Sequence, residues 1–114
     1  MMLMRDYEIY AVDFDGTLVE DKFPDIGEPK LKVIDYCKQV RQSGHKLILW
    51  TCRTGSDLDA AVKWCNEHGL FFHAVNANLP EEIEYFGNDC RKVGADFFLD
   101  DRSINLSDIE EGLI

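Results

Sequence analysis

No stretch of this chain is apolar for long enough to cross a membrane. Its N-terminus, MMLMRDYEIY, meets Arg5 and Asp6 after only four apolar residues. A secretory leader needs a longer apolar core, and a spanning helix needs about 20 such residues. Positive charge is scarce too: 12 Lys and Arg stand against 22 Asp and Glu, for a net charge of -10. A surface this acidic repels a phosphate backbone, which disfavours nucleic acid as a partner. It does not exclude a small phosphorylated ligand, because a bound divalent cation reverses the local field. Cysteine is sparse and nowhere arranged as C-x-x-C: Cys37, Cys52, Cys65 and Cys90 stand apart, and His45, His68 and His73 are scattered. That removes the spacing of a zinc site. Cys37 and Cys65 fall in helical patterns, where a small buried thiol is common. All four cysteines are read as reduced, which places the protein in the cytoplasm. Repeats, low-complexity tracts and linkers are lacking as well, and 114 residues suit one domain, 1–114.

Short apolar runs alternate with helical patterns. Residues 7–14 (YEIYAVDF) read as a buried strand that delivers Asp13 to its carboxyl end, stopped by Asp15-Gly16. Residues 16–28 read as a loop with room for a small hairpin. Pro29 suits the first turn of a helix running to about Gln42, whose apolar positions recur at helical spacing. KLILWT, residues 46–51, has the continuous apolar character of a strand covered on both faces. A second helix is expected from Ser56, as N-cap, to His68, with Gly69 closing it. Residues 70–75 form a third strand, residues 80–85 a short helix, and residues 95–99 (ADFFL) a fourth buried strand. Ser107 is expected to cap a last short helix.

This alternation predicts an α/β fold, a parallel sheet with helices on both faces. Ligands of such sheets sit beyond the carboxyl ends of the strands, where the strand order reverses. Asp13 and Asp15 follow the first strand, Thr51 and Arg53 the second, and Asp100 and Asp101 the fourth. Three strand ends presenting chemistry to one edge is the strongest physical signal in the sequence.

Those residues suit phosphate-ester hydrolysis. A carboxylate can attack phosphorus to give an acyl phosphate that water cleaves. Two anions repel, so a divalent cation has to lie between nucleophile and phosphate, and a second acid has to manage the protons. Asp13 and Asp15 stand two apart, and Gly16 permits the sharp turn that lets backbone approach a ligand. Asp100 and Asp101 add carboxylates, and an all-oxygen donor set favours Mg²⁺. Thr51 offers a hydroxyl and a backbone N–H. Lys92, ahead of the fourth strand, can pair with phosphate and with Asp13. Arg53 is assigned either to the leaving group or to a solvated loop. Trp50 and Trp64 are assigned to the core.

At DFDGTL, residues 13–18, the chain resembles the haloacid dehalogenase-like superfamily of phosphohydrolases. The D-x-D-G-T-L motif is complete. LILWT ends in the Thr of the second motif, Lys92 best matches the Lys of the third, and FFLDD supplies the acidic pair of the fourth. The resemblance implies a three-layer, doubly wound, Rossmann-like parallel sheet. It implies Asp13 as nucleophile and Mg²⁺ ligand, and Asp15 as general acid/base with its carbonyl on the metal. It implies Thr51 and Lys92 as phosphate ligands, and Asp100 and Asp101 as metal ligands, with Asp100 favoured for direct contact. Only some fifteen residues separate the first strand from its helix, so no cap domain is expected beyond a flap hairpin. Capless members often close their sites with a neighbouring subunit, which leaves a homo-oligomer open. The expected activity is that of a phosphatase for a small phosphorylated metabolite. Action on nucleic-acid ends or phosphoproteins, and a non-catalytic regulatory module keeping the fold, are the competing readings.

Overall fold

Ile9, Ala11 and Val12 are almost wholly excluded from solvent and form the heart of strand β1 (Ile9–Val12). The computed structural model describes residues 5–113. β1 pairs in parallel with β4 (Lys46–Leu49) on one side and with β6 (Phe97–Leu99) on the other. β5 (Ala74–Val75) continues the sheet beyond β4, giving the order β5-β4-β1-β6. A separate antiparallel hairpin, β2 (Val19–Lys22) and β3 (Asp25–Pro29), rises directly after β1.

The helices follow from that order. From β1 the chain steps outward through α1 (Leu31–Gln42) to β4 and through α2 (Gly55–Glu67) to β5. Ile34, Cys37 and Val40 of α1 share one core with Ala61 and Cys65 of α2, against Val12, Leu47 and Leu49. The chain then reverses direction, passing α3 (Pro80–Phe86) to reach β6 on the other side of β1. Leu79 and Val93 accordingly close the opposite face, against Ile9, Ala11 and Ile48. A right-handed crossover changes face when the direction of travel reverses, so a sheet wound outward and back is covered on both sides. The reversal lies at β1, and the carboxyl end of β1 is where Asp13 stands. The expected α/β class and parallel sheet with helices are therefore observed.

Several local expectations are corrected. Pro29 is the last residue of β3 rather than part of a helix, and Lys30 precedes α1. α2 is preceded by Thr54 in extended conformation, not by Ser56, and no side chain caps it. Asn105 caps α4 (Leu106–Glu110), its side chain accepting the Ser107 N–H. The third strand shrinks to two residues, and His73 lies just before it. The largest difference is β6. It is an edge strand, and Phe97 and Phe98 are 45% and 49% exposed. Hydrophobicity marks it as a strand but does not report that it lies at the edge of the sheet.

A candidate phosphate and metal site at the carboxyl edge of the sheet

Asp13 enters the site along the ladder itself: its N–H donates to Leu99 O at 3.0 Å, extending the β1–β6 pairing by one step. The chain then turns sharply. Thr17 and Leu18 N–H both donate to Phe14 O, and Gly16 N–H to Val19 O. Gly16 adopts φ +86°, and a Cβ built there would stand 2.3 Å from Asp101 Oδ2. Glycine is required for the left-handed backbone, and a Cβ there would also push aside the Asp101 carboxylate. The Gly16 carbonyl also accepts from Lys30 Nζ at 2.9 Å. Its N–H is spent on Val19 O, so Gly16 contributes space to the site rather than a phosphate-binding donor.

One carboxylate oxygen from each of Asp13, Asp100 and Asp101 lies within 4.8 Å of the other two. Among the described residues no Lys or Arg forms an ion pair with any of the three. One oxygen of Asp13 accepts the Phe14 N–H at 2.7 Å, and among the described residues Oδ2 has no hydrogen-bond partner. Asp100 Oδ1 accepts from Arg102 N at 2.9 Å. Burial raises the Asp13 carboxyl to about 6; the Phe14 N–H opposes that rise, while Asp100, Asp101 and Asp15 add to it. Gathering like charges costs stability unless a cation joins them. Three adjacent carboxylates without a cationic partner suit a hard cation of the Mg²⁺ type.

Asp15 takes no part in that cluster through its side chain. Its two oxygens accept from Arg53 Nε and Nη2, each at 2.8 Å. Arg53 is 2% exposed, and the fork geometry explains why: every one of its N–H groups is used. Nη1 donates to Pro24 O and Asp57 O, and Nη2 also to Asp25 O. The guanidinium lies 5.1 Å from the ring centroids of both Phe14 and Phe23. Arg53 thus ties the β2–β3 hairpin to the first turn of α2 and to Asp15. Neither sequence alternative describes it. It is not on a solvated loop, and it has no donor left for a leaving group.

Thr51 stands where the sequence put it, lining two adjoining clefts of about 370 and 310 Å³ with Asp13 and Asp100. Its N–H donates to Asn76 Oδ1 at 2.8 Å, and its hydroxyl oxygen accepts the Arg53 N–H at 3.2 Å. The Thr51 O–H proton therefore remains for a ligand, while its N–H does not. Asn76 was missed by sequence reasoning. It holds φ +51°, an unusual value for a residue other than glycine, and also lines the second cleft. The available signal was an Asn at the end of a strand, since Asn tolerates this conformation and bonds nearby backbone.

Lys92 is not brought to Asp13. It is exposed and lines a separate hollow with Glu82, Phe86 and Gly94. Its neighbour Arg91 instead reaches the Asn76 carbonyl with Nη1 at 3.5 Å and the Asp89 carboxylate with Nη2 at 3.6 Å. A second cation unmentioned by the motifs, Arg102, lines the larger cleft with Phe23 and Asp21, its guanidinium 3.8 Å from the Asp21 carboxylate. Trp64 packs edge-on against Phe14, and Trp50 packs against the second core, as expected of both.

No protein-family model matches the chain, and no curated protein does. Among solved structures, a conserved protein from Bacteroides thetaiotaomicron is 41% identical to it, with a TM-score of 0.77, covering 95% of this chain and 90% of that one.

Proposed function

The chain belongs to the family of that conserved Bacteroides protein, and we propose that it is a Mg²⁺-dependent phosphohydrolase of the haloacid dehalogenase-like kind, built as one domain without a cap. The observation that carries this reading is the Asp13, Asp100 and Asp101 cluster at the reversal point of the sheet, with no cationic partner among the described residues. These three residues would hold Mg²⁺, which neutralises charge between carboxylate and phosphate.

Asp13 Oδ2, the oxygen not engaged by Phe14, attacks phosphorus. The bond to the ester oxygen breaks, and Asp15, freed from Arg53 and protonated from solvent beforehand, gives the departing alcohol that proton. Asp15 then takes a proton from a water that attacks phosphorus, the bond to Asp13 breaks, and phosphate leaves. Before it can act, Asp15 has to loosen from Arg53, which holds both its oxygens. The Thr51 hydroxyl donates to a phosphoryl oxygen, and Arg102, exchanging its Asp21 partner for the substrate, supplies a cation in the same cleft. A cleft of about 370 Å³ suits a small phosphorylated metabolite in a cytoplasmic setting.

Release of phosphate from an aryl phosphate, with and without Mg²⁺, tests the reading. Metal-dependent release that disappears in Asp13→Asn is expected. No release by folded protein against a broad set of phosphate esters would overturn it. The non-catalytic alternative draws on one observation, the engagement of Asp15 by a buried arginine. It predicts Mg²⁺ binding without turnover.

A further inference from the structure

α1 and α2 cover β1 and β4, but β6 is left at the edge of the sheet with an open side. Between α1 and β6 runs a groove of about 470 Å³, lined by Val33 and Tyr36 on one wall and by Phe98 and Leu99 on the other. Lys30 and Lys32 stand along it, and at one end it reaches Gly16 and Asp101.

A helix without a seat accompanies this groove. α4 buries none of its residues. Ile104, Leu106, Ile109 and Leu113 are between 52% and 72% exposed. Of the twelve large apolar residues exposed in the described chain, eight fall in α1, β6 and residues 104–113. Phe97 and Phe98 point to opposite faces of the sheet, so the concentration that matters is the four residues of 104–113, which is more than scattered surface hydrophobes leave on one short segment. A helix of five residues is far too short to persist in water without tertiary cover. The charges match along α1, while Asp100 and Asp101 line the far end of the groove. α4 and its cap carry Asp108, Glu110 and Glu111, and neither Lys30 nor Lys32 has a carboxylate partner among the described residues.

We propose that the groove between α1 and β6 receives α4 of a second copy of this chain, the two copies exchanging the helix about a two-fold axis. The helix lays its apolar residues along Val33, Tyr36 and Leu99, and its acidic residues face Lys32. Reciprocal exchange fills both grooves and leaves neither helix unpartnered, as an isologous contact does. It also shields the open side of β6, which would otherwise be a template for uncontrolled strand pairing. The inference is independent of the phosphohydrolase reading.

Sedimentation of the full chain up to about 100 µM, where even a micromolar contact is saturated, tests it. A dimer is expected. Leu106→Asp with Ile109→Asp should weaken it by about tenfold or more, and folding is not at risk because both side chains are exposed. Lys32→Glu should weaken it too, and adding Glu110→Lys should restore it. A wild-type monomer at the highest concentration overturns the proposal, including one whose α4 amides resist hydrogen exchange because its own helix fills the groove. So does a dimer indifferent to all four substitutions.

Discussion

Arg53 grips Asp15 through two N–H···O bonds of 2.8 Å each, from a position 2% exposed to solvent. The same guanidinium holds three carbonyls drawn from the hairpin and from α2. Removing it leaves Asp15 and those carbonyls without their donor. Loss of one partner from a buried ion pair costs about 3–5 kcal/mol. Arg53→Ala is therefore expected to lower the unfolding free energy by about that amount in urea titrations. Arg53→Lys keeps the charge but cannot reproduce the fork, and should recover less than about half. A loss under about 1 kcal/mol in the alanine variant would contradict the network.

The carboxylate cluster makes a prediction that needs no substrate. Mg²⁺ at about 100 times its dissociation constant should stabilise the fold by about 2.7 kcal/mol. For a chain of this size that is a melting shift of about 10 °C or more. Asp13→Asn and Asp100→Asn should each abolish most of the shift, whereas Asp96→Asn, remote from the cluster, should preserve it.

Acidity in the metal-free protein follows from Asp13. Its carboxyl is raised from an ordinary 3.8 to about 6 in the folded state, chiefly by burial. Between those values the folded chain binds the proton more tightly than the unfolded one. This contribution to stability is full below about 4, declines as pH rises, and is gone above about 6. Other carboxylates, Asp96 among them, are lowered and act in the opposite sense. The measurement is therefore the difference between wild type and Asp13→Asn, whose melting-temperature gap should change across pH 4 to 6. Mg²⁺ competes with that proton, so its affinity should climb over the same range and then level.

Lys92 offers a sharp contrast between motif and geometry. It lines a hollow away from Asp13. Lys92→Ala should then change kcat/KM by less than about threefold, whereas loss of a cation that holds the phosphoryl group would cost about a hundredfold or more. Arg91→Ala, altering the side chain beside Asn76, should have the larger effect of the two.

Asn76 can be separated into its two jobs. Asn76→Gly keeps the left-handed backbone but removes the acceptor of the Thr51 N–H, and Asn76→Ala removes both. The alanine variant should be less stable than the glycine variant by about 1 kcal/mol, read from denaturant midpoints.

What the sequence made legible was whatever local pattern controls. β1, β4, α1 and the short α3 follow from apolar periodicity and from Pro80, and Asp13, Thr51 and Asp100 reach one edge because strand ends do so in a wound parallel sheet. What it hid depends on neighbours distant in the chain. Phe97 and Phe98 look like core until the strand order puts β6 at the edge. Arg53 looks like a surface cation until the hairpin folds over it and supplies carbonyls for its fork. Lys92 lies one residue from Arg91, and only backbone direction decides which of them faces Asn76.

The pairing of Asp13 N–H with Leu99 O has a dynamic consequence. β6 contributes three residues to the sheet and pairs on one side only. It carries Asp100 and Asp101 at its end, so the spacing of the carboxylates is no firmer than that short ladder. Brief fraying of β6 would scatter the cluster while the rest of the sheet stayed intact. Amide exchange at residues 97–99 should therefore be faster than at Ile48, which sits between two strands, and a bound cation should slow it.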